Sequence, residues 1–340
     1  MIEAISSRPT FAHLKHLTTK FGLQEHALFD VPRPEHGYCV DDVARGLILL
    51  CREPALDSTE LAMLELYLDF TLRALSEEGG CHNRMDSEGN WADEPGTGDW
   101  WGRAMWGLGY AAAHAPLAGQ RARAVQGFHL LARTISPDLK SLSFATLGAG
   151  ELLLAYPDDS DARCILEGVR KRLTHSVSSK WIWPEKRLNY SNGSVAEAVI
   201  LIGWALGDAT TVAHGISLLE FLLDIETNSG HFSVTPAEGR EHDERGMGFD
   251  QQPIEIVAIA DACARAFQVT GEARWAAEVQ RAWSWFLGNN DRGVEMFDPE
   301  TGGGYDGLHD RGPNLNQGAE STISMLSTAQ QALRTGLSSL

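Results

Sequence analysis

Helical periodicity runs through nearly the whole chain, and it constrains the fold more than any other feature. Apolar residues recur at intervals of three and four, the spacing that lines one face of an α-helix. The pattern predicts about twelve helices, near residues 9–21, 38–53, 58–78, 99–114, 118–135, 141–156, 159–178, 193–207, 208–225, 252–270, 272–288 and 318–336. No linker rich in Pro or Ser divides them, so we expect one domain over residues 1–340.

Two kinds of helix alternate along the chain. One kind is amphipathic: within 159–178, Ile165 lies on the face opposite Arg163. The other kind, such as 195–206, is apolar nearly all round and rich in small residues. A helix that is apolar on every side must be surrounded by protein. Six such inner helices enclosed by six outer ones predict an all-α fold, an (α/α)6 barrel, with a plain helical solenoid as the alternative.

The connections between helices differ in length. Turns from inner to outer helices are short, whereas most connections that lead back to an inner helix are long. The long ones carry many Trp, Tyr, His, Asp and Arg residues and cover 22–37, 78–98, 180–192, 229–252 and 288–317. Long connections within a compact domain are usually functional. We therefore expect them, with small β-hairpins, on one active face of the barrel.

Charge and cysteine content exclude several classes of function. The chain has 46 Asp and Glu against 28 Lys and Arg, a net charge of −18. Nucleic acids and anionic membranes attract clustered basic residues, so we expect neither as a partner. The first twenty residues lack the apolar core of a signal peptide, which predicts a cytoplasmic protein. The five cysteines and the histidines show no metal-binding spacing, so we expect neither a metal nor another cofactor.

Two predicted inner helices open with Asp-x-x-x-Arg, a spacing that places both side chains on one helical face. Asp41 precedes Arg45, and Asp99 precedes Arg103. These residues are either buried structural ion pairs or groups that ring the barrel mouth and hold substrate hydroxyls. Asp42 is left over from the first pair, which makes it the freer carboxylate and a candidate acid or base.

Other inner helices also open on polar residues. At the fifth inner helix these are Asp250, Gln251, Gln252 and Glu255. Helix capping alone would explain Asp250, but the cluster is larger than a cap requires. Glu197 and Glu320 take matching places in the fourth and sixth inner helices. Burial in apolar surroundings raises a carboxyl pKa and suits a general acid, and a hydrogen-bonded core glutamate is the alternative.

Aromatic, amide and histidine side chains accumulate in the same connections and helix starts. Rings can stack on the C–H faces of a sugar, while polar groups bind its hydroxyls. Besides Asp41, Arg45, Arg103, Gln251, Gln252 and Glu255, the predicted substrate-binding residues are His36, Tyr38, Trp100, Trp101, Tyr190, Asn192, Tyr305, Asp306, His309, Asn316 and Gln317. Packing of the long connections is the alternative for some of these rings.

Several sequence blocks resemble those of carbohydrate-active enzymes with six-hairpin (α/α)6 barrels. Residues 101–106, Trp-Gly-Arg-Ala-Met-Trp, are similar to a segment on an inner helix of unsaturated glucuronyl hydrolases. Residues 36–42, 250–253 and 316–320 more closely resemble a helical-barrel family often labelled glycosyltransferase because it accompanies sugar-transferase domains. The resemblance covers nearly the whole chain. It implies a carbohydrate substrate and association with a sugar-transferase domain or protein.

The leading functional hypothesis is a glycoside hydrolase with paired carboxylates as acid and as base or nucleophile. Asp42 and Asp250 are the first choice for this pair. The reserve candidates are Asp99, Glu197, Glu255 and Glu320. One alternative is a sugar epimerase or isomerase in which loop histidines move the proton, with His36, His231 and His309 as candidates. Another is a non-catalytic toroid that binds a glycan.

Overall fold

The inner helices of this protein form a closed ring. The computed structural model describes residues 10–337, and this part of the chain contains twelve α-helices. The inner six are α2 (Val40–Arg52), α4 (Asp99–His114), α6 (Leu139–Ala155), α8 (Gly193–Leu206), α10 (Pro253–Thr270) and α12 (Ala319–Leu337). Each packs against the next, and α12 packs against α2. Ring closure confirms the barrel and excludes the solenoid.

The outer helices cover this ring. They are α1 (Ala12–Leu17), α3 (Ser58–Arg73), α5 (Ala118–Leu131), α7 (Ser160–Leu173), α9 (Ala209–Ile225) and α11 (Ala273–Phe286). From α3 onward each outer helix packs on the inner helix before it, whereas α1 packs on α12. The prediction of a helix over 9–21 was too long, because the chain becomes extended at Thr18 and pairs with Leu23. Residue 9 lies outside the described part.

Glycines allow two inner helices to approach closely. A Cβ atom on Gly148 of α6 would lie 2.1 Å from the carbonyl oxygen of Met105 in α4. A Cβ atom on Gly109 of α4 would lie 2.2 Å from the carbonyl oxygen of Gly148. Both distances are far below van der Waals contact, so only glycine fits at these positions. The small residues that mark the inner helices in the sequence therefore have a direct packing role.

Short turns join inner to outer helices because stop and start signals lie side by side. Gly207 ends α8 with φ +70°, and the side chain of Asp208 then accepts hydrogen bonds from the first turn of α9. Gly271 ends α10 with φ +69° in the same way. Glycine adopts this left-handed conformation without steric cost. These local signals keep the opposite end of the barrel free of long loops.

Small antiparallel strand pairs occupy the long connections, as predicted. The pairs are β1 (Ala27–Leu28) with β2 (Val31–Pro32), β3 (Tyr38–Cys39) with β4 (Arg84–Met85), β5 (Arg187–Leu188) with β8 (Arg240–Glu241), β6 (Thr227–Asn228) with β7 (His231–Phe232), and β9 (Gly307–His309) with β10 (Gly312–Asn314). Two pairs, β3–β4 and β5–β8, join different connections and so fix them to each other. No helix in the described part is both long and apolar enough to cross a bilayer.

Candidate active site

A cleft opens at the starts of the inner helices, on the face that carries the long connections. Its empty space, including the open mouth, is about 1300 Å³. Eleven of the predicted site residues line it: Asp41, Asp42, Arg45, Asp99, Trp100, Tyr190, Asp250, Gln252, Asp306, His309 and Glu320. The chain positions of these residues span almost three hundred residues, so the barrel ring is what brings them together.

Three carboxylates converge on one guanidinium nitrogen at the floor of the cleft. Arg45 Nη2 lies 2.6 Å from Asp41 Oδ1, 2.6 Å from Asp42 Oδ1 and 3.0 Å from Glu320 Oε2. The predicted pair of Asp41 with Arg45 therefore exists, but it belongs to a larger cluster. Arg103 Nε adds a second positive charge, 3.7 Å from Asp41 Oδ2. Two guanidinium groups leave one of the three carboxylate charges unbalanced, which favours retention of a proton in the cluster.

Neighbouring carboxyl groups in this cluster have opposite pKa shifts. Burial, aided by the charge of Asp41 and opposed by Arg45, raises the pKa of Asp42 to about 7. Burial would also raise the pKa of Asp41, but Arg45 and Arg103 outweigh it and lower that pKa. The thiol of Cys39 donates a hydrogen bond to Asp42 Oδ2 at 3.1 Å. Near neutral pH, Asp41 is ionised while Asp42 carries a proton part of the time.

The expected ion pair between Asp99 and Arg103 does not form. Arg103 instead lies over the ring of Phe144, with its guanidinium carbon 3.6 Å from the ring centroid, and faces Asp41. Asp99 accepts hydrogen bonds from the hydroxyl of Tyr190 and, at 3.1 Å, from Ser141 Oγ. The helical spacing permits the predicted pair, but neighbouring helices supply better partners.

Asp250 and His309 form a half-exposed pair on the cleft wall. His309 Nδ1 lies 2.8 Å from Asp250 Oδ1, and the two side chains are 42% and 50% exposed. The backbone holds these two residues next to each other, because their neighbours Gln251 and Leu308 are paired. Gln251 N donates to Leu308 O at 3.0 Å, and Leu308 N donates to Gln251 O at 2.8 Å. Asp250 does not cap α10, whose N-cap position is taken by Gln252. The capping alternative for Asp250 is therefore wrong.

Several predicted substrate-binding residues are buried and do not line the cleft. They are Tyr38, Trp101, Arg103, Asn192, Gln251, Glu255 and Gln317. Glu255 shows what such residues do: its carboxylate accepts hydrogen bonds from the backbone N–H groups of Ser191 and Asn192. Burial raises the pKa of Glu255 to about 7, although nearby Lys140 opposes this shift. Glu255 thus holds the segment that carries Tyr190.

Asp306 and Asn316 position the rim of the cleft. Asp306 accepts hydrogen bonds from Gly318 N at 2.8 Å and from Ser321 Oγ at 2.6 Å, which fixes the start of α12. Asn316 Oδ1 accepts one from Phe29 N at 3.0 Å in the β1–β2 turn. Three further predicted residues are absent from the lining of the cleft: Tyr305, His36 and His231. His36 is exposed, and His231 instead bonds Asp291 Oδ1 at 2.7 Å.

Glu197 lies away from the cleft, so its expected match with Glu320 is wrong. Glu320 is the second residue of α12, whereas Glu197 is the fifth residue of α8. Three positions along a helix correspond to roughly 4.5 Å of depth. At that depth Glu197 faces Arg265, 3.4 Å away, and lines a separate cavity at the other end of the barrel.

Sequence reasoning missed some residues that line the cleft, including Glu25, His26, Asn83, Arg84 and Asn314. Arg84 forms an ion pair with Glu25. The only available signal was their position in the long connections, because none of them belongs to a helical motif. The strand pair β3–β4 brings Arg84 to the cleft. Pairing between segments this far apart in the chain could not be predicted from the sequence pattern.

Among the described residues, two groups in the cleft have ligand atoms close enough for a metal ion: Glu25 with Cys39 and Asp42, and the three carboxylates of the cluster at its floor. Ligand atoms of Asp41, Asp42 and Glu320 lie within 4.8 Å of one another. Arg45 Nη2 lies within 3.0 Å of all three carboxylates. In this arrangement the guanidinium group supplies the positive charge that a metal ion would otherwise bring.

Comparison with known proteins shows a shared fold. No protein-family model matches this sequence, and no curated protein sequence matches it. A sugar epimerase from a ruminal bacterium is similar in structure, with a TM-score of 0.71 at 12% identity over 94% of this chain and 95% of that one. A D-mannose isomerase gives 0.70 at 11% identity over 96% and 95%. A glycosidase in complex with glucose gives 0.61 at 14% identity over 95% and 94%.

Proposed function

We propose that this protein is a carbohydrate-active enzyme, and specifically a glycoside hydrolase that cleaves an oligosaccharide or glycan in the cleft. The observation that carries the proposal is the raised pKa of Asp42 in a cleft that also holds the half-exposed carboxyl group of Asp250. Acid–base cleavage of a glycosidic bond requires two carboxyl groups, one of which holds a proton near the operating pH. The structural likeness to a glycosidase in complex with glucose supports this choice.

The acid in this proposal lies in the cluster of Asp42, Arg45 and Glu320. Asp42 is almost fully buried, whereas the Glu320 side chain is 42% exposed. Both carboxylates contact Arg45 Nη2. Within the cluster Asp42 is the acid, because its raised pKa lets it hold a proton near neutral pH and it lines the cleft. Glu320, the more exposed of the two, binds a substrate hydroxyl beside it. Asp250, oriented by His309, is the second carboxyl group and acts as base or nucleophile.

The walls of the cleft suit a sugar. Trp100 is held by a hydrogen bond from its Nε1 to Cys81 O at 2.7 Å, and Tyr190 is held by Asp99. Their rings offer faces for sugar C–H groups, while the pair of Arg84 and Glu25 offers polar partners for hydroxyls. The excess of carboxylates over cations in the cleft favours hydroxyl donors over an anionic substrate.

The test is a screen of oligosaccharides for release of reducing ends, followed by single substitutions. Asp42→Asn and Asp250→Asn should each lower kcat/KM by at least about a hundredfold, because removing an acid or base costs that much or more. Asp161→Asn, on the exposed side of α7, is the matched control and should retain activity. Retention of activity by both Asp42→Asn and Asp250→Asn would refute the assignment.

A sugar epimerase or isomerase is the second candidate. The Asp250–His309 pair favours it, since a histidine held by a carboxylate is an effective base, and His26 also lines the cleft. Structural likeness to a sugar epimerase and a D-mannose isomerase supports it too. Incubation with free monosaccharides in D₂O distinguishes the two: epimerisation through proton abstraction incorporates deuterium beside the carbonyl carbon, whereas hydrolysis alone does not.

A further inference from the structure

A second polar cavity, here called the rear chamber, opens at the end of the barrel opposite the cleft. Its empty space, including its mouth, is about 770 Å³. Its ionisable lining residues are Arg52, His114, Glu151, Glu197, Asp261, Arg265 and Arg334. They lie mostly near the ends of the inner helices, where the turns are short.

The rear chamber is separate from the cleft. Between the two lies a narrow space with mostly apolar walls, including Ile48, Trp106 and Ile254. Its remaining free space is small, and the ion pair of Arg52 with Asp261, at 2.9 Å, closes it toward the rear chamber. A ligand in the rear chamber would therefore not contact the candidate catalytic carboxylates.

One carboxylate in the rear chamber lacks adequate partners. Glu151 is held by Arg265 and, at 2.8 Å, by His114 Nε2. Glu197 is more than nine-tenths buried, yet its Oε1 meets Arg265 only at 3.4 Å. Its Oε2 has no hydrogen-bond partner among the described residues, and neither has Arg52 Nε. A buried polar atom without a partner is costly, so each such atom points to a missing ligand or water.

The rear chamber is lined by groups of both charges. Three carboxyl groups, those of Glu151, Glu197 and Asp261, face the guanidinium groups of Arg52 and Arg265, with Arg334 at the exposed rim. Burial raises the pKa of Glu197 to about 7, against the effect of Arg265, so the lining has little net charge with which to attract a free anion or cation. A hydroxyl group both donates and accepts hydrogen bonds, so a polyhydroxylated molecule can pair with carboxyl and guanidinium groups alike. Tyr110 adds an aromatic ring to the wall.

We propose that the rear chamber is a second binding site, for a neutral polyhydroxylated molecule of monosaccharide size. Glu197 accepts hydroxyl hydrogen bonds there, and Arg52 donates one. This inference does not rest on the proposed function, because it needs no catalysis in the cleft.

Calorimetric titration of the full chain with D-glucose, D-mannose and D-galactose tests the proposal. At least one sugar should bind the wild type, and Glu197→Gln should weaken this binding by about tenfold or more, the loss expected for a hydrogen bond to a charged group. Asp250→Asn, in the cleft, should leave the same binding unchanged. Circular dichroism checks that both variants fold.

Three outcomes would overturn the proposal. The first is that no neutral sugar binds. The second is that Glu197→Gln binds as tightly as the wild type while Asp250→Asn loses binding, which would place the sugar in the cleft. The third is that glucosamine or inorganic phosphate binds and the neutral sugars do not. If Glu197→Gln fails to fold, the test is the electron density of a wild-type crystal soaked with the sugar. Sugar density in the rear chamber supports the proposal, and sugar density confined to the cleft contradicts it.

Discussion

At the residue scale, the protonation of Asp42 depends on its burial and on the charged groups around it. Burial has the largest effect on its pKa, followed by Arg45, Asp41, Glu320 and Glu25 in that order. Arg45 lowers the pKa, while the three carboxylates raise it. The protonation of Asp42 can therefore be changed without substituting Asp42 itself.

Replacing Asp41 should move the basic limb of the pH–activity profile. An acid must be protonated, so the proposed activity should fall as pH rises through about 7, the pKa of Asp42. Asp41→Asn removes a negative charge beside Asp42 and should shift this limb to lower pH. Glu25→Gln is the matched control, and its shift should have the same direction but be smaller. An unchanged limb in Asp41→Asn would argue against Asp42 as the acid.

Buried glutamates should make the protein less stable as pH rises. Burial, followed by the charge of Glu255, raises the pKa of Glu226 from 4.5 to about 8. Because the folded pKa exceeds the unfolded one, the folded state binds this proton more tightly. The stabilisation is complete below about pH 4.5 and is lost as pH rises to about 8. Glu226→Gln should therefore reduce the decrease in the free energy of unfolding between pH 5 and 8, measured by urea denaturation. Glu220→Gln, on the exposed side of α9, is the control and should leave this decrease unchanged.

At the element scale, the contact between α4 and α6 depends on residues without side chains. Gly109 and Gly148 meet backbone atoms at distances that exclude a Cβ atom. The sequence pattern already marked these helices as inner ones, because small residues occur among apolar ones. Which glycines touch a neighbouring backbone was decided by the register between the two helices.

Adding one methyl group at Gly148 should force α4 and α6 apart. Gly148→Ala should lower the free energy of unfolding by about 1–3 kcal/mol, as overpacking of a tight core does. Gly168→Ala is the matched control, because its Cβ would meet nothing within 4 Å in α7. The free energy of unfolding of Gly168→Ala should increase by about 0.5–1 kcal/mol, because alanine has a higher helix propensity than glycine. Thermal or urea unfolding measures both, and equal effects of the two substitutions would contradict the packing argument.

At the scale of the whole molecule, contact between the two ends of the chain closes the ring of inner helices. The last inner helix, α12, must pack against the first, α2, across nearly the full length of the chain. Gln330 in α12 makes one of these closing contacts, since its Nε2 donates to Leu49 O at 3.1 Å and to Glu53 Oε2 at 2.8 Å. Leu49 lies in the last turn of α2, where backbone carbonyls lack helical partners.

Removing this contact should weaken ring closure. Gln330→Leu leaves the Leu49 carbonyl buried without its side-chain partner, and it should lower the free energy of unfolding by about 1–3 kcal/mol. Gln126→Leu, on the exposed face of α5, is the matched control and should change stability by less than about 0.5 kcal/mol. Equal values for the two variants would show that this contact does not stabilise the ring.

The sequence by itself determined the number of helices, most of their bounds and which of them are inner. These properties are local, because helical periodicity, capping residues and terminal glycines act within a few residues of each other. The same logic placed Asp41, Asp42, Asp99, Asp250 and Glu320 at the starts of inner helices, and the structure finds all five in one cleft. The single domain, the cytoplasmic location and the association with a sugar-transferase remain predictions.

Only the tertiary structure decided how these residues are paired. In the structure, Glu320 contacts Arg45, and Asp250 lies beside His309. Arg103 lies near Asp41 and does not pair with Asp99. Glu197, which was predicted to lie at the cleft, lines the rear chamber instead. Each outcome depends on which helices are neighbours in the ring and how deep each one starts. A side chain close to a neighbouring helix can pair with a residue there instead of with one on its own helix. The sequence pattern of one helix does not predict which of the two partners it will take.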